Sequence, residues 1–264
     1  MNIKNVSVLV CAVCAVLAFS PTAHGQISLG QVDDFSAVSN AGWVEGPSSP
    51  NPPVHDIGVG LDGLAGHLQN ISQGFGSNGS RWLTFNSETR WQGDYLSAGV
   101  NAILVDFDNR SGNGTAGNFR VAFLGSGGWF ISDDFLVADG TGWQQAVFDL
   151  ASLSHLTGGT GSLTDTLSNV TQIEIFSSVS DTPSTSNAGL VQGDNLIADF
   201  RMDNMRAAGQ MGDVDLNGAI DFGDIPAFIA ALQAGTMQFE ADIDGDGDVD
   251  FADIPFFISV LSQQ

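Results

Sequence analysis

The sequence predicts a mainly β chain, a jelly-roll-like β-sandwich followed by a small α-helical domain. Three observations predict it. Residues 26 to about 208 are rich in Gly, Ser, Asn, Thr and Phe, and their apolar residues fall in short runs bounded by turn formers. From about residue 209 the texture changes, and residues 211–264 carry eleven acids and no base. Within that tail a stretch of loop and apolar-striped segment is written twice, 29 residues apart.

The strand runs come first. "HLQNIS", "RWLTFNS", "VNAILVDFD", "FRVAFLG", "GWFIS", "WQQAVFDL", "VTQIEIFSS" and "NLIADFRM" are short, alternating or fully apolar, and separated by Gly, Ser, Asn and Asp. Such spacing predicts an all-β sandwich, and about 180 residues suffice for one core between two sheets. One short helix is expected near "DLASLSHL".

The tail carries two twelve-residue loops, Asp213 to Asp224 and Asp242 to Asp253. Each places oxygen-bearing side chains at positions 1, 3, 5, 9 and 12 and glycine at 6. A hard cation such as calcium takes about six to eight oxygen ligands, and a central glycine lets the chain turn around it. The ligands this spacing assigns are Asp213, Asp215, Asn217, the carbonyl of Ala219, Asp221 through a water, and Asp224, with Gly218 at the turn. In the second loop they are Asp242, Asp244, Asp246, the carbonyl of Asp248, Asp250 and Asp253, around Gly247. After each loop an apolar stripe follows at helical period: Ile225, Phe228, Ile229 and Leu232, then Ile254, Phe257, Ile258 and Leu261. Pro226 and Pro255 fall in the first turn, where a missing N–H is harmless. The segments "AAGQMG" and "GTMQFEA" are too short for the leading helix of a full EF-hand.

A loop followed by a helix, twice, with Asp at position 12, resembles the dockerin domain. That resemblance covers about residues 211 to 264. It implies a module folded around two calcium ions that anchors secreted polysaccharide-degrading proteins to cohesin-bearing partners. The chain departs from the family in having no Lys or Arg on these helices. The partner is therefore expected to be either a cohesin-like protein or the chain's own sandwich. Only about five residues, Ala207 to Met211, separate the last predicted strand from the first loop, and Phe256 and Val260 are expected either to pack inward or to form a patch for a partner.

The chain opens with Lys4, an apolar run from Val6 to Phe19 and the small residues Ala23 and Gly25. This reads as a signal peptide over residues 1–25, cut before Gln26, and places the protein outside the cell or at its surface. The apolar run is shorter than the roughly 20 residues a spanning helix needs, and no later run is longer. Both cysteines, Cys11 and Cys14, lie inside this segment, so the exported chain holds neither disulfide nor thiol nucleophile. Without the one lysine, six arginines face 30 acids. Nucleic acid and anionic membranes are excluded as partners, because both are bound through basic side chains.

The sandwich segment, with "VDDFS", "GTGWQQAVFDL", "VTQIEIF" and "ADFRMDNMRA" in that order, resembles galactose-binding-like carbohydrate-binding modules and, more loosely, the laminin B type of sandwich. That resemblance implies polysaccharide binding and a structural calcium near the first and last strands, held by Asp33, Asp34 and Asp203. Read from the residues alone, the same acids serve equally as turn caps. Trp143 is expected in the core. Trp91, in "TRWQGDY" with Arg90, Gln92, Asp94 and Tyr95, is the cluster chosen for glycan contact, since flat rings stack on pyranose faces.

Enzyme readings find little support in the residues. Glycoside hydrolysis needs two positioned carboxylates, and Glu45, Glu88 and Glu174 form no E-x-D-x-E strand. Lyase chemistry on uronates draws on Tyr and Lys, and the exported chain has one tyrosine and no lysine. Asp106 and Asp108 share a strand face but read as an alternating solvent face, and His55, His67 and His155 show no metal-ligand spacing. The sequence therefore favours a secreted non-catalytic glycan-binding protein. The alternatives are a sandwich hydrolase or lyase with an unrecognised carboxylate pair, and a structural surface or adhesion protein.

Overall fold

A computed structural model describes residues 26–45, 49, 51–74, 81–157, 160–186, 189–235, 238–246 and 248–262. The expected signal peptide and the turn residue Gly247 lie outside the described residues. In chain order the elements are β1 (Val32–Asp33), β2 (Val54–Val59), β3 (Ala65–Gln73), β4 (Leu83–Asn86), β5 (Ala102–Asn109), β6 (Gly117–Gly125), β7 (Gly128–Ile131), β8 (Phe135–Val137), β9 (Gln144–Asp149), β10 (Ser154–Thr157), α1 (Leu163–Leu167), β11 (Gln172–Ser177), β12 (Ile197–Ala208), α2 (Asp224–Ala234) and α3 (Asp253–Leu261). All eight runs read as strands contain one. The short strands β1, β2, β8 and β10 had no run of their own, and the expected helix at "DLASLSHL" is a single 3-10 turn over Leu150–Ser152.

The strands form two antiparallel six-stranded sheets. One runs β2-β3-β12-β5-β9 with β1 beside β12, and the other runs β10-β7-β6-β11-β4 with β8 beside β6. Their inner faces meet in one apolar core that includes Leu68, Ile103, Phe107, Phe119, Phe123, Phe148, Ile175 and Phe200. Phe107 and Phe119 stack across it with ring centres 3.9 Å apart, and Trp82 meets Phe119 and Phe200 edge-on at 5.1 and 5.3 Å. Strand β12 is long enough to pair with β3 through one half and with β1 through the other. Between these halves its register shifts at Asp203 to Arg206, with Asn204 at φ 47°. The irregularity breaks the alternation, so that Met202 and Met205 both point inward.

A second apolar layer lies on the outer face of the β6/β7/β11 sheet. Leu83, Ala122, Trp129, Ile131 and Phe176 are covered there by the segment that carries Val191. This layer swallows Glu174, which is fully buried and has only the Val191 N–H, at 3.1 Å, as a partner for one carboxylate oxygen. Burial pushes its pKa well above the ordinary glutamate range.

The tail has its own small core. Val214, Phe228, Ala231, Ala241, Val249 and Phe257 are buried together, and Phe228 stacks on Phe257 at 4.1 Å. These two phenylalanines occupy matching positions of the repeat, so the helices pack through one narrow ridge. Ile229 and Ile258, expected in the buried stripe, are exposed instead, at 47% and 60%, because no second layer covers that column. Phe256 is half exposed, whereas Val260 reaches the backbone at Gly212. Helix α2 ends in a left-handed Gly235 whose N–H bonds Ala231 O, a standard C-terminal cap.

Glu174 yields a test. With its folded pKa raised, the stabilising neutral form is fully present below the unfolded value, 4.5, and is lost as pH rises towards the folded one. Glu174→Gln, which keeps an acceptor for Val191, is expected to be more stable than the parent above about pH 5. The gap should widen by up to about 1.4 kcal/mol per pH unit in urea melts across pH 4 to 8.

Candidate metal centres and binding cleft

Each tail loop is wound by its own aspartates. Asp213 Oδ1 and Oδ2 accept from the N–H groups of Asn217 and Gly218 at 3.0 and 2.9 Å, which places Gly218 at φ 87°, a region open to glycine. Asp224, at position 12, ties both ends of the loop by accepting from Asp215 N at 3.0 Å and Asp221 N at 2.8 Å. The second loop repeats this: Asp253 accepts from Asp244 N at 3.1 Å and Asp250 N at 2.9 Å. Ala219 and Asp248 donate to the position-5 side chains of Asn217 and Asp246, at 2.9 and 3.2 Å.

Asp213, Asp215 and Asp224 bring carboxylate oxygens within 4.8 Å of one another, and so do Asp242, Asp244 and Asp246. Among the described residues no other group of three His, Cys, Asp or Glu does so. Burial, and then the neighbouring Asp224 and Asp215, hold the Asp213 pKa above the usual carboxylate range; Asp246 is the chief cause of the same shift at Asp248. Hard oxygen donors, mutual repulsion and no base in either loop suit a hard divalent cation. Asp221, Asp250 and Asp253 lie in the same loops but outside these two clusters.

The aromatic cluster chosen for glycan contact is placed differently. Trp91 and Tyr95 are fully buried, and Tyr95 spends its hydroxyl on Trp91 O at 2.9 Å. The indole N–H groups of Trp43 and Trp91 both donate to Asp33 Oδ2 at 2.8 Å, while Arg90 pairs with Asp33 Oδ1. This corrects the expectation for Trp91 and Tyr95, whose rings offer no open face. Gln92 bonds the carbonyls of Ser87 and Thr171, and Asp94 accepts from Ser97, so both serve the loop. Only Arg90 of the five lines a cleft, about 330 Å³ in volume, with Asp34, Phe35, Ser39, Gly42 and Glu88. Trp143, expected in the core, is half-buried on an outer face, where it meets His67 edge-on at 5.4 Å and donates to Val59 O.

The acids near the terminal strands are also rearranged. Asp33 is committed to the indoles and Arg90, so of the three proposed ion ligands Asp34 and Asp203 remain. Asp203 is buried beneath Gly60, where any Cβ would lie 1.8 Å from its Oδ2, and that oxygen has no hydrogen-bond partner. Burial first, then Asp62, Asp106 and Asp34, push its pKa to about 8. Asp62 and Asp106 were missed because Asp62 sits in a glycine-rich turn that only the fold brings over β12. Asp106 and Asp108 are buried, contrary to the solvent-face reading. Asp106 is held by Gln145 and Asn204 and Asp108 by Arg110, so the two serve different partners.

No protein-family model matches the chain, and no curated protein does. Several solved structures are similar to it. A family 11 carbohydrate-binding module from Clostridium thermocellum, solved with a β-1,3-1,4-mixed-linked tetrasaccharide, is 15% identical over 70% of this chain and 98% of its own, with a TM-score of 0.46. The same family's module from the cellulosomal cellulase Lic26A-Cel5E is 16% identical, covers 70% of this chain and 96% of its own, and scores 0.45. An exo-β-agarase is 13% identical over 68% of this chain and 24% of its own, at 0.44. No helix among the described residues is long and apolar enough to cross a membrane.

If Trp91 is a core residue, its loss is a stability defect. Trp91→Ala is expected to cost about 3–5 kcal/mol in urea unfolding, because it opens a cavity and strips one donor from the buried Asp33.

Proposed function

We propose that the chain is an exported, non-catalytic, polysaccharide-associated protein whose β-sandwich contacts glycan and whose dockerin-like tail, folded around two calcium ions, anchors it. The observation that carries this reading is the duplicated all-oxygen loop, each copy feeding a helix, with Phe228 and Phe257 matched in the shared core. When bound, the ions would supply the positive charge that eleven acids without a base lack. Asp213, Asp215, Asn217, Asp221 and Asp224 would hold one, and their counterparts from Asp242 to Asp253 the other. The third, structural ion implied for Asp33, Asp34 and Asp203 would fall to Asp34 and Asp203, and the orphaned Asp203 oxygen supports it.

Glycan contact on the sandwich is assigned to the cleft beside Arg90 and Glu88, which offers hydrogen-bonding groups and not a stacking platform. The partner of the tail is a cohesin-like protein or the sandwich itself. Two measurements test the proposal. Excess chelator is expected to abolish most of the helical circular dichroism of α2 and α3, and unchanged helicity would count against calcium folding. In a polysaccharide binding screen, one or more glycans should be retained without release of reducing ends, and Glu88→Ala should weaken retention about tenfold, the effect of losing one charge-assisted hydrogen bond. Release of reducing ends would establish a hydrolase or lyase instead.

A further inference from the structure

The tail does not hang free. Ala102 and Leu104 of β5 and Ala208 of β12 form a small apolar patch on the outer face of their sheet, and Phe239 of the tail packs on it. Beside this patch Glu240 is fully buried, paired with Arg206 of β12 and accepting from Gly209 N at 3.1 Å. The Glu240 carbonyl also accepts from Gly212 N at 2.8 Å. Gly212 directly precedes Asp213, the first ligand position of loop one, and Glu240 stands two residues before Asp242, the first of loop two. One residue thus ties the sandwich to the entrance of both loops.

A second contact comes from inside loop one. Leu216, between Asp215 and Asn217, is held at φ 60°, a left-handed backbone that disfavours a branched-chain residue. Its side chain lies against the sandwich: a Cβ on Gly30 would stand 3.2 Å from Leu216 Cδ1, and one on Gly209 3.6 Å from Cδ2. Winding loop one around an ion and seating Leu216 on Gly30 fix the same few backbone angles.

From this geometry we infer that calcium loading of the two loops and docking of the tail on the sandwich are one linked equilibrium, transmitted through Glu240 and Leu216. The inference rests on the calcium reading of the loops. Linkage is reciprocal: the factor by which docking tightens calcium binding is the factor by which calcium tightens docking. The sandwich, which contributes no ligand to either loop, thereby sets their affinity.

The test uses sandwich-side substitutions in the full exported chain, at residues that are not loop ligands. Arg206→Gln removes the ion pair, and Leu104→Ala thins the apolar patch on an outer sheet face without entering the sandwich core. Calorimetric titration with calcium chloride is expected to show both loops of the parent filling, and each variant binding at least about fivefold more weakly, the lower end of typical coupling. The reverse arm reads the sandwich alone, since all five tryptophans lie before the tail. Calcium should raise the tryptophan-monitored melting temperature of the parent, and less so that of each variant. Parent-like affinity in both variants, or equal calcium-induced melting shifts in all three proteins, overturns the linkage while leaving the calcium reading intact. No calcium uptake by the parent overturns both.

Discussion

Positive charge is the scarce quantity in this molecule. The chain has six arginines and a single lysine, Lys4, and each arginine has a fixed task. Arg81 holds the carbonyl of Gly193, Arg90 pairs with Asp33, Arg110 with Asp108, and Arg120 with Asp134 and Asp181 while also donating to the carbonyls of Ser132 and Ser178. Arg201 stands between Asp199 and Asp56, and Arg206 alone reaches the tail. Every other carboxylate must be solvated, protonated by burial or matched by a cation. Glu174 takes the second course, its pKa pushed well above the ordinary glutamate range by burial. The tail loops crowd exposed and buried aspartates within a few ångströms of one another, an arrangement a hard cation would suit.

The same scarcity shapes the sandwich. Asp33 could not be buried alone, because isolated ionised carboxylates are strongly disfavoured in an apolar core. It is surrounded by two indole N–H groups and one guanidinium, drawn from residues 10, 57 and 58 positions further along the chain. The result pins β1 to the loop after β4 and closes that end of the core with Trp43 and Trp91, whose rings meet at 6.2 Å. The knot is structural, and its one solvent-facing member, Arg90, looks into the cleft.

That knot also explains what the sequence could and could not reveal. Long strands were legible because their alternation reports local burial, and the loops because ligand spacing is a local code. Strand β2 was hidden behind Pro52 and Pro53 and between glycines, and β8 and β10 are too short to carry a period. Trp91 looked exposed because its neighbours Arg90, Gln92 and Asp94 are polar; its burial depends on Asp33, far away in sequence. Trp143 misled in the other direction, since its apolar neighbours belong to a strand that begins one residue later. The Arg206–Glu240 pair joins a strand to a linker, a relation that no periodicity encodes.

The repeat itself is symmetric in sequence and asymmetric in setting. Leu216 of loop one sits against the sandwich, and Gly212 at its entrance is bonded to Glu240, so the first copy is the one that docks. Phe222 and Phe251, at matching loop positions, are 78% and 81% exposed, and Ile229 and Ile258 of the helices are exposed as well. Apolar side chains displayed in repeat-matched pairs on an acidic module lose free energy to water without helping it fold.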